Sequence, residues 1–196
     1  MEANRSRMRW TYAEFARLPS EGSTRYEVID GELAVTPAPT SRHQLVVTNL
    51  VAVLHPLVRE HALGVLLAGP IDVLFGEGDY LEPDLVFVRA DRAHLVSDRG
   101  IEGAPDLVVE VLSPSTAHRD RGIKLDRYRT FGVPEYWIVD LEARTMEVWR
   151  LTEGAEAPEV VRVGERLPWT PVPRGPTLDI AVEEIVPVVG HQGEAR

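Results

Sequence analysis

Residues 107–112 read Leu107-Val-Val-Glu-Val-Leu112, five apolar side chains around one carboxylate. A run that is apolar on both faces marks a strand covered on both sides by other layers. A second run, Leu85-Val-Phe-Val88, has the same character. Each run is opened by a Pro-Asp pair, Pro83-Asp84 and Pro105-Asp106. Two doubly covered strands need a layer on each face, so the fold class is an α/β or α+β core around a mixed sheet. A carboxylate inside such a strand is costly unless it is paired, hydrogen-bonded or bound to a metal. Glu110 reads as a structural ion-pair partner, as an edge-strand residue facing water, or as a functional residue, and it is the first candidate for the last.

Outward from this stretch the elements follow from periodicity. Arg25 to Thr36 alternates and carries Asp30-Gly31, which predicts a β-hairpin extension near the N-terminus. Ahead of it, Trp10 to Leu18 reads as a short helix with Thr11 and Glu14 as a capping box. Leu45, Val46, Leu50, Val53, Leu54, Leu57 and Val58 recur at helical spacing and predict a helix over 41–60. Ser41 and Gln44 form its predicted capping box, Pro56 kinks or shortens it, and Gly64 ends it. Val65 to Phe75 reads as a strand broken at Gly69-Pro70. Arg119 to Phe131 reads as a helix closed by Gly132. Strands follow at Glu135 to Asp140, Thr145 to Leu151 and near Val160 to Val163, with a last helical turn at Ala181 to Ile185. The reading is one domain over 10–187 with flexible ends at 1–9 and 188–196.

Composition narrows the chemistry. The 196 residues suit one sizeable domain. No cysteine is present, which excludes disulfides, zinc-thiolate sites, iron–sulfur clusters and cysteine nucleophiles. The six histidines lack zinc spacing. No stretch is long and apolar enough to span a bilayer, and Met1 to Arg9 has no apolar segment behind it, so a soluble cytoplasmic protein is expected. The net charge of −10 argues against a surface-wide grip on nucleic acid, although a local basic patch or a metal ion can still hold a phosphate. Among the 21 basic residues only Lys124 is a lysine. Arginine cannot replace lysine where a compact point charge on a flexible stem is needed.

Alternation along strands sorts the carboxylates. Asp106 and Glu110 share a face but lie about 13 Å apart at ~3.3 Å per residue, too far to share one ion. Asp84 and Glu110 come within reach if their strands are neighbours, about 4.8 Å apart. Asp106 reads as a turn residue; Asp84 reads either as a turn residue or as a ligand. Asp120, Lys124 and Tyr128, spaced i, i+4, i+8, form one helical stripe. That stripe either faces the sheet or carries a surface Asp120–Lys124 ion pair. Two carboxylates and an ammonium suit phosphodiester hydrolysis. The carboxylates bind Mg²⁺, with Mn²⁺ as a substitute, the ion activates water, and the ammonium stabilises charge on phosphate. Arg119, Arg121, Arg127 and Arg129 form the one dense basic cluster. It is either a solvated helix face or, for Arg119, Arg121 and Arg127, a set of contacts to a nucleic-acid backbone.

Pro83-Asp84 followed by Glu110 in Val108-Val-Glu-Val-Leu-Ser-Pro-Ser-Thr116 resembles the metal-binding half of the PD-(D/E)xK nuclease superfamily. The wider chain is similar to the Uma family of restriction-endonuclease-like proteins. That likeness is carried by Tyr26-Glu-Val-Ile-Asp-Gly-Glu32, Glu82-Pro-Asp84, residues 101–116, Arg119 to Tyr128 and Gly132 to Asp140. The resemblance implies a restriction-endonuclease-like mixed sheet flanked by helices. It implies that Asp84, Glu110 and the carbonyl of Val111 bind the metal, and that Lys124 positions the nucleophile. The superfamily pattern has lysine two residues after Glu110; here that position is Leu112, and the resemblance passes the role to Lys124 on the next helix. Glu32, His43, Gln44 and Tyr128 are the additional site candidates. The sequence thus reads as a Mg²⁺-dependent DNA endonuclease, with a homodimer expected if cuts are paired. Two alternatives stand beside it: a non-catalytic nucleic-acid-binding or scaffold protein of the same fold, and a hydrolase of RNA or another phosphate ester.

Overall fold

A computed structural model describes residues 9–19 and 24–186. The ends predicted to be flexible, apart from Arg9, lie outside the described residues. Helix α1 (Tyr12–Phe15) is a single turn, shorter than predicted, held by the expected capping box between Thr11 and Glu14. Strands β1 (Arg25–Ile29) and β2 (Glu32–Thr36) form the predicted hairpin. Asp30 and Gly31 take φ of 51° and 82°, as a tight two-residue turn matching strand twist requires.

Helix α2 (Ser41–Glu60) has the predicted bounds but a different cap. The hydroxyl of Thr40, not that of Ser41, accepts the backbone N–H of His43 at 3.2 Å. Pro56 is tolerated inside it, and the chain leaves the helix at His61 rather than at Gly64. Gly64 instead begins β3 (Gly64–Ala68), where an added Cβ would lie 2.1 Å from the carbonyl oxygen of Val88.

The run Val65 to Phe75 is divided between two sheets, because β4 (Val73–Gly76) pairs with β5 (Asp79–Leu81), not with β3's partner. Then come β6 (Leu85–Arg89), β7 (Val96–Ser97), β8 (Gly100–Ile101) and β9 (Leu107–Val111). The predicted helix over 119–131 is interrupted. It consists of α3 (Ala117–Arg119), a wide turn over Asp120–Lys124 kinked at Gly122, and α4 (Leu125–Thr130). Strands β10 (Glu135–Asp140), β11 (Thr145–Arg150), β12 (Glu159–Arg162), β13 (Arg166–Trp169) and β14 (Leu178–Ala181) precede α5 (Val182–Ile185).

Among the described residues the strands form two six-stranded sheets and a separate β13–β14 hairpin. The central sheet runs β12-β11-β10-β9-β6-β3 and is mixed, with β9 and β10 parallel and the other pairs antiparallel. The second sheet runs β2-β1-β5-β4-β8-β7. Alternation divides the core between the two faces of the central sheet. Leu85, Phe87, Val109 and Trp137 pack on one side with Val46, Leu50 and Leu54 of α2 and with Trp169 of β13. Val86, Val88, Val108 and Ile138 pack on the other with Leu125 and Tyr128 of α4 and with Ile29, Val73 and Leu81 of the second sheet. β6 and β9 are thus covered on both sides, as their sequences require. Among the described residues, no helix is long and apolar enough to cross a membrane.

Candidate active site

β6 and β9 are antiparallel neighbours with Leu85 opposite Val109. One step further places Asp84 opposite Glu110, both of them buried. Asp84 is tied down by three donors. Its Oδ1 meets Nε2 of His43 at 3.0 Å and the guanidinium of Arg25 at 3.1 Å, and its Oδ2 accepts the N–H of Val111 at 2.8 Å. Burial alone would raise the Asp84 carboxyl; His43, the Val111 N–H and Arg25 outweigh it and hold the group below its ordinary value. The N-terminal turn of α2 delivers His43, and β1 delivers Arg25.

Glu110 lies on the face of the sheet that meets α4. Its Oε1 accepts both the ammonium of Lys124 and the hydroxyl of Tyr128, each at 2.8 Å. Burial pushes its pKa well up; Lys124 opposes that, while the carboxylates of Asp120, Asp84 and Glu27 reinforce it. Lys124 is 3% exposed. Its Nζ lies 2.7 Å from Glu27, 2.8 Å from Glu110 and 3.7 Å from Asp120. Burial would lower its pKa, yet Glu110, Glu27 and Asp120 together raise it. Lys124 is therefore a fixed cation, not a proton acceptor. The wide turn brings both its ends inward, burying Asp120 as well as Lys124.

These groups line a cavity of about 210 Å³ closed on one side by Ser113 to Thr116 and by Pro37 to Thr40. Five carboxylates, Glu27, Glu82, Asp84, Glu110 and Asp120, face two fixed cations, Arg25 and Lys124. The surplus is visible in the acids themselves. Burial, followed by the carboxylates of Asp72 and Glu27, raises Glu82 to about 7. Asp120 is raised too, by burial first. Such a surplus in a buried cavity favours a divalent cation. The donor set fits a hard ion. Each carboxylate oxygen has two acceptor positions. After the internal donors are counted, one remains on Asp84 Oδ2 and both remain on Glu110 Oε2. The residues that would hold Mg²⁺ are Asp84, Glu110 and the carbonyl of Val111. Among the described residues no three histidine or acidic side chains converge on one point as a ready metal cage; the acids gather around Lys124 instead.

Asp84, Glu110, Val111, Lys124, His43 and Tyr128 are brought together here. The other candidates fall elsewhere. Gln44 is exposed and lines a neighbouring cleft that also reaches Asp84. Glu32 is exposed at the start of β2; the acid on that hairpin which reaches the cavity is Glu27. Arg119 donates to the hydroxyl of Thr36 at 2.8 Å, Arg121 bonds Asp140 and Glu147, and Arg127 forks onto buried Asp79. These three arginines tie elements of the fold together, and none lines the cavity. Asp106 is a turn residue, accepting the N–H of Arg89 and the guanidinium of Arg92. The charged cavity residues not picked as site candidates from the sequence are Arg25, Glu27, Glu82 and Asp120. Alternation in β1 offered the signal, because Arg25, Glu27 and apolar Ile29 share one face.

No curated protein matches the chain. A crystal structure of "a putative nuclease belonging to DUF820" from Anabaena variabilis superposes with a TM-score of 0.72. It is 21% identical, with 90% of this chain and 97% of that chain covered, a likeness that shows the shared restriction-endonuclease-like fold. The sequence profile of the Uma2 family, described as "Putative restriction endonuclease", matches residues 12–182. That span takes in every residue lining the cavity, and the chain belongs to the Uma2 family.

Proposed function

We propose that the chain is a metal-dependent endonuclease that hydrolyses phosphodiester bonds of DNA, with Mg²⁺ as its ion and Mn²⁺ as a substitute. The observation that carries this reading is the pairing of Asp84 and Glu110 across β6 and β9 in an acid-rich cavity that also holds the chain's lone lysine. When bound, the ion would polarise the phosphate and acidify a water molecule. Asp84, Glu110 and the Val111 carbonyl supply hard oxygen ligands. His43 and Arg25 fix the rotamer of Asp84, and Tyr128 fixes that of Glu110. Lys124, charged throughout the working pH range, lies beside Glu110 where it can stabilise charge developing on phosphate.

Cleavage of supercoiled plasmid in Mg²⁺ and Mn²⁺ tests the reading. EDTA is expected to abolish nicking. Glu110→Gln, which keeps the shape of the side chain, is expected to lower the rate at least a hundredfold and to weaken Mg²⁺ binding in calorimetry. Cleavage and metal affinity unchanged in that variant would refute the assignment. A non-catalytic nucleic-acid-binding role is the second reading, favoured by the five internal donors already on Asp84 and Glu110. A DNA gel shift with no cleavage in either ion would select it.

A further inference from the structure

A wider cleft of about 450 Å³ adjoins the cavity and shares Arg25, Pro39, Glu82 and Asp84 with it. Its character differs from that of the cavity. Phe15, Tyr26, Pro39 and Pro70 give it apolar walls. Tyr26 is half-buried, packed on one side and open on the other. The polar groups in the cleft include two acceptors without donors. Glu82 and Asp72 both line the cleft, and among the described residues no donor is paired with Oε2 of Glu82 or with the carboxylate of Asp72. The occupant this chemistry selects is flat, apolar on its faces and rich in N–H groups along one edge. A nucleobase has that form, and bases are held on such surfaces by stacking on aromatic rings. Guanine carries an imino N–H and an amino group side by side on its Watson–Crick edge, the pattern that two carboxylates accept. Thymine offers only one N–H on that edge, one donor fewer for the same two acids.

We propose that this cleft seats one unpaired nucleobase, with guanine preferred, beside the phosphate that meets Asp84 and Glu110. This rests on the nuclease reading and names its substrate class as single-stranded or locally unpaired DNA. A base whose Watson–Crick edge lies on Asp72 and Glu82 cannot at the same time be paired. The rest of the molecule agrees. Arg119, Arg121 and Arg127, which could have tracked a duplex backbone, are committed within the fold, and the net charge is −10.

Fluorescence anisotropy with the full chain in Ca²⁺ tests this. Three labelled probes are compared: a twelve-residue thymidine strand, the same strand with one central guanosine, and that guanosine strand annealed to its complement. The guanosine strand is expected to bind about tenfold tighter than the all-thymidine strand and at least tenfold tighter than the duplex. Asp72→Asn, whose carboxylate holds no part of the fold, is expected to erase the guanosine preference at unchanged melting temperature. A duplex that binds as tightly as the single strand, or a preference that survives Asp72→Asn, overturns the proposal and leaves the nuclease reading intact. No binding of any probe in Ca²⁺ or Mn²⁺ overturns the nuclease reading and this inference with it.

Discussion

Lys124 holds three carboxylates that come from different parts of the chain: Glu27 on β1, Glu110 on β9 and Asp120 on its own turn. Each is buried, so none is fully solvated once the ammonium is gone. Removing one partner of a buried ionic cluster strands the others and typically costs about 3–5 kcal/mol. Lys124→Met is therefore expected to lower urea stability by that order, and saturating Mg²⁺ to recover more stability in this variant than in the parent. A loss below about 1 kcal/mol would show that water reaches the acids. Residues of this kind were legible because they were anomalous: one acid in an apolar strand, one lysine among arginines. Glu27 was not. It stands in an alternating hairpin where an acid is ordinary and which also carries Glu32, and only the stacking of β1 against the central sheet separates the two.

Elements with long, regular patterns were readable, and short ones were not. Helix α2 and strands β6, β9, β10 and β11 follow from periodicity because their burial is set by a whole face. β5, β7, β8, β13 and β14 escaped because two to four residues among glycines and prolines carry no period; their pairing depends on distant partners. β8 shows how tight that pairing is. Gly100 takes φ of 128°, and an added Cβ would lie 2.2 Å from the carbonyl oxygen of Asp72. That same carbonyl accepts the N–H of Ile101 at 2.8 Å. Gly100→Ala is expected to cost about 1–3 kcal/mol in thermal or urea unfolding. It should also displace Asp72 and so weaken the guanosine preference. The kink at Gly122 was invisible for another reason. A stripe at i, i+4, i+8 reads the same whether the turn between its members is regular or widened.

For the whole molecule, charge decides how a polyanion is met. At −10 the chain repels DNA at long range. The fixed cations lining the cavity are Arg25 and Lys124. With at most two phosphates neutralised, the slope of log affinity against log salt for a single strand is expected to be no steeper than about −1.4, at roughly −0.7 per phosphate. Binding should vanish in EDTA at every salt concentration. Titration of binding from 50 to 300 mM salt checks both, and a slope of −4 or steeper would reveal a basic track elsewhere on the surface.

The shielding of Lys124 also sets what reagents can see. An amine-directed label meets a single lysine in this sequence, 3% exposed and held as an ammonium by three carboxylates. In the closed protein that nitrogen offers no lone pair, because three carboxylates keep it protonated. Acylation at residue 124 therefore waits for openings that part the ammonium from the carboxylates of the hairpin, the central strand and the kinked turn. The chain carries its own clock for the breathing of its most guarded interior, read from the native sequence without a mutation.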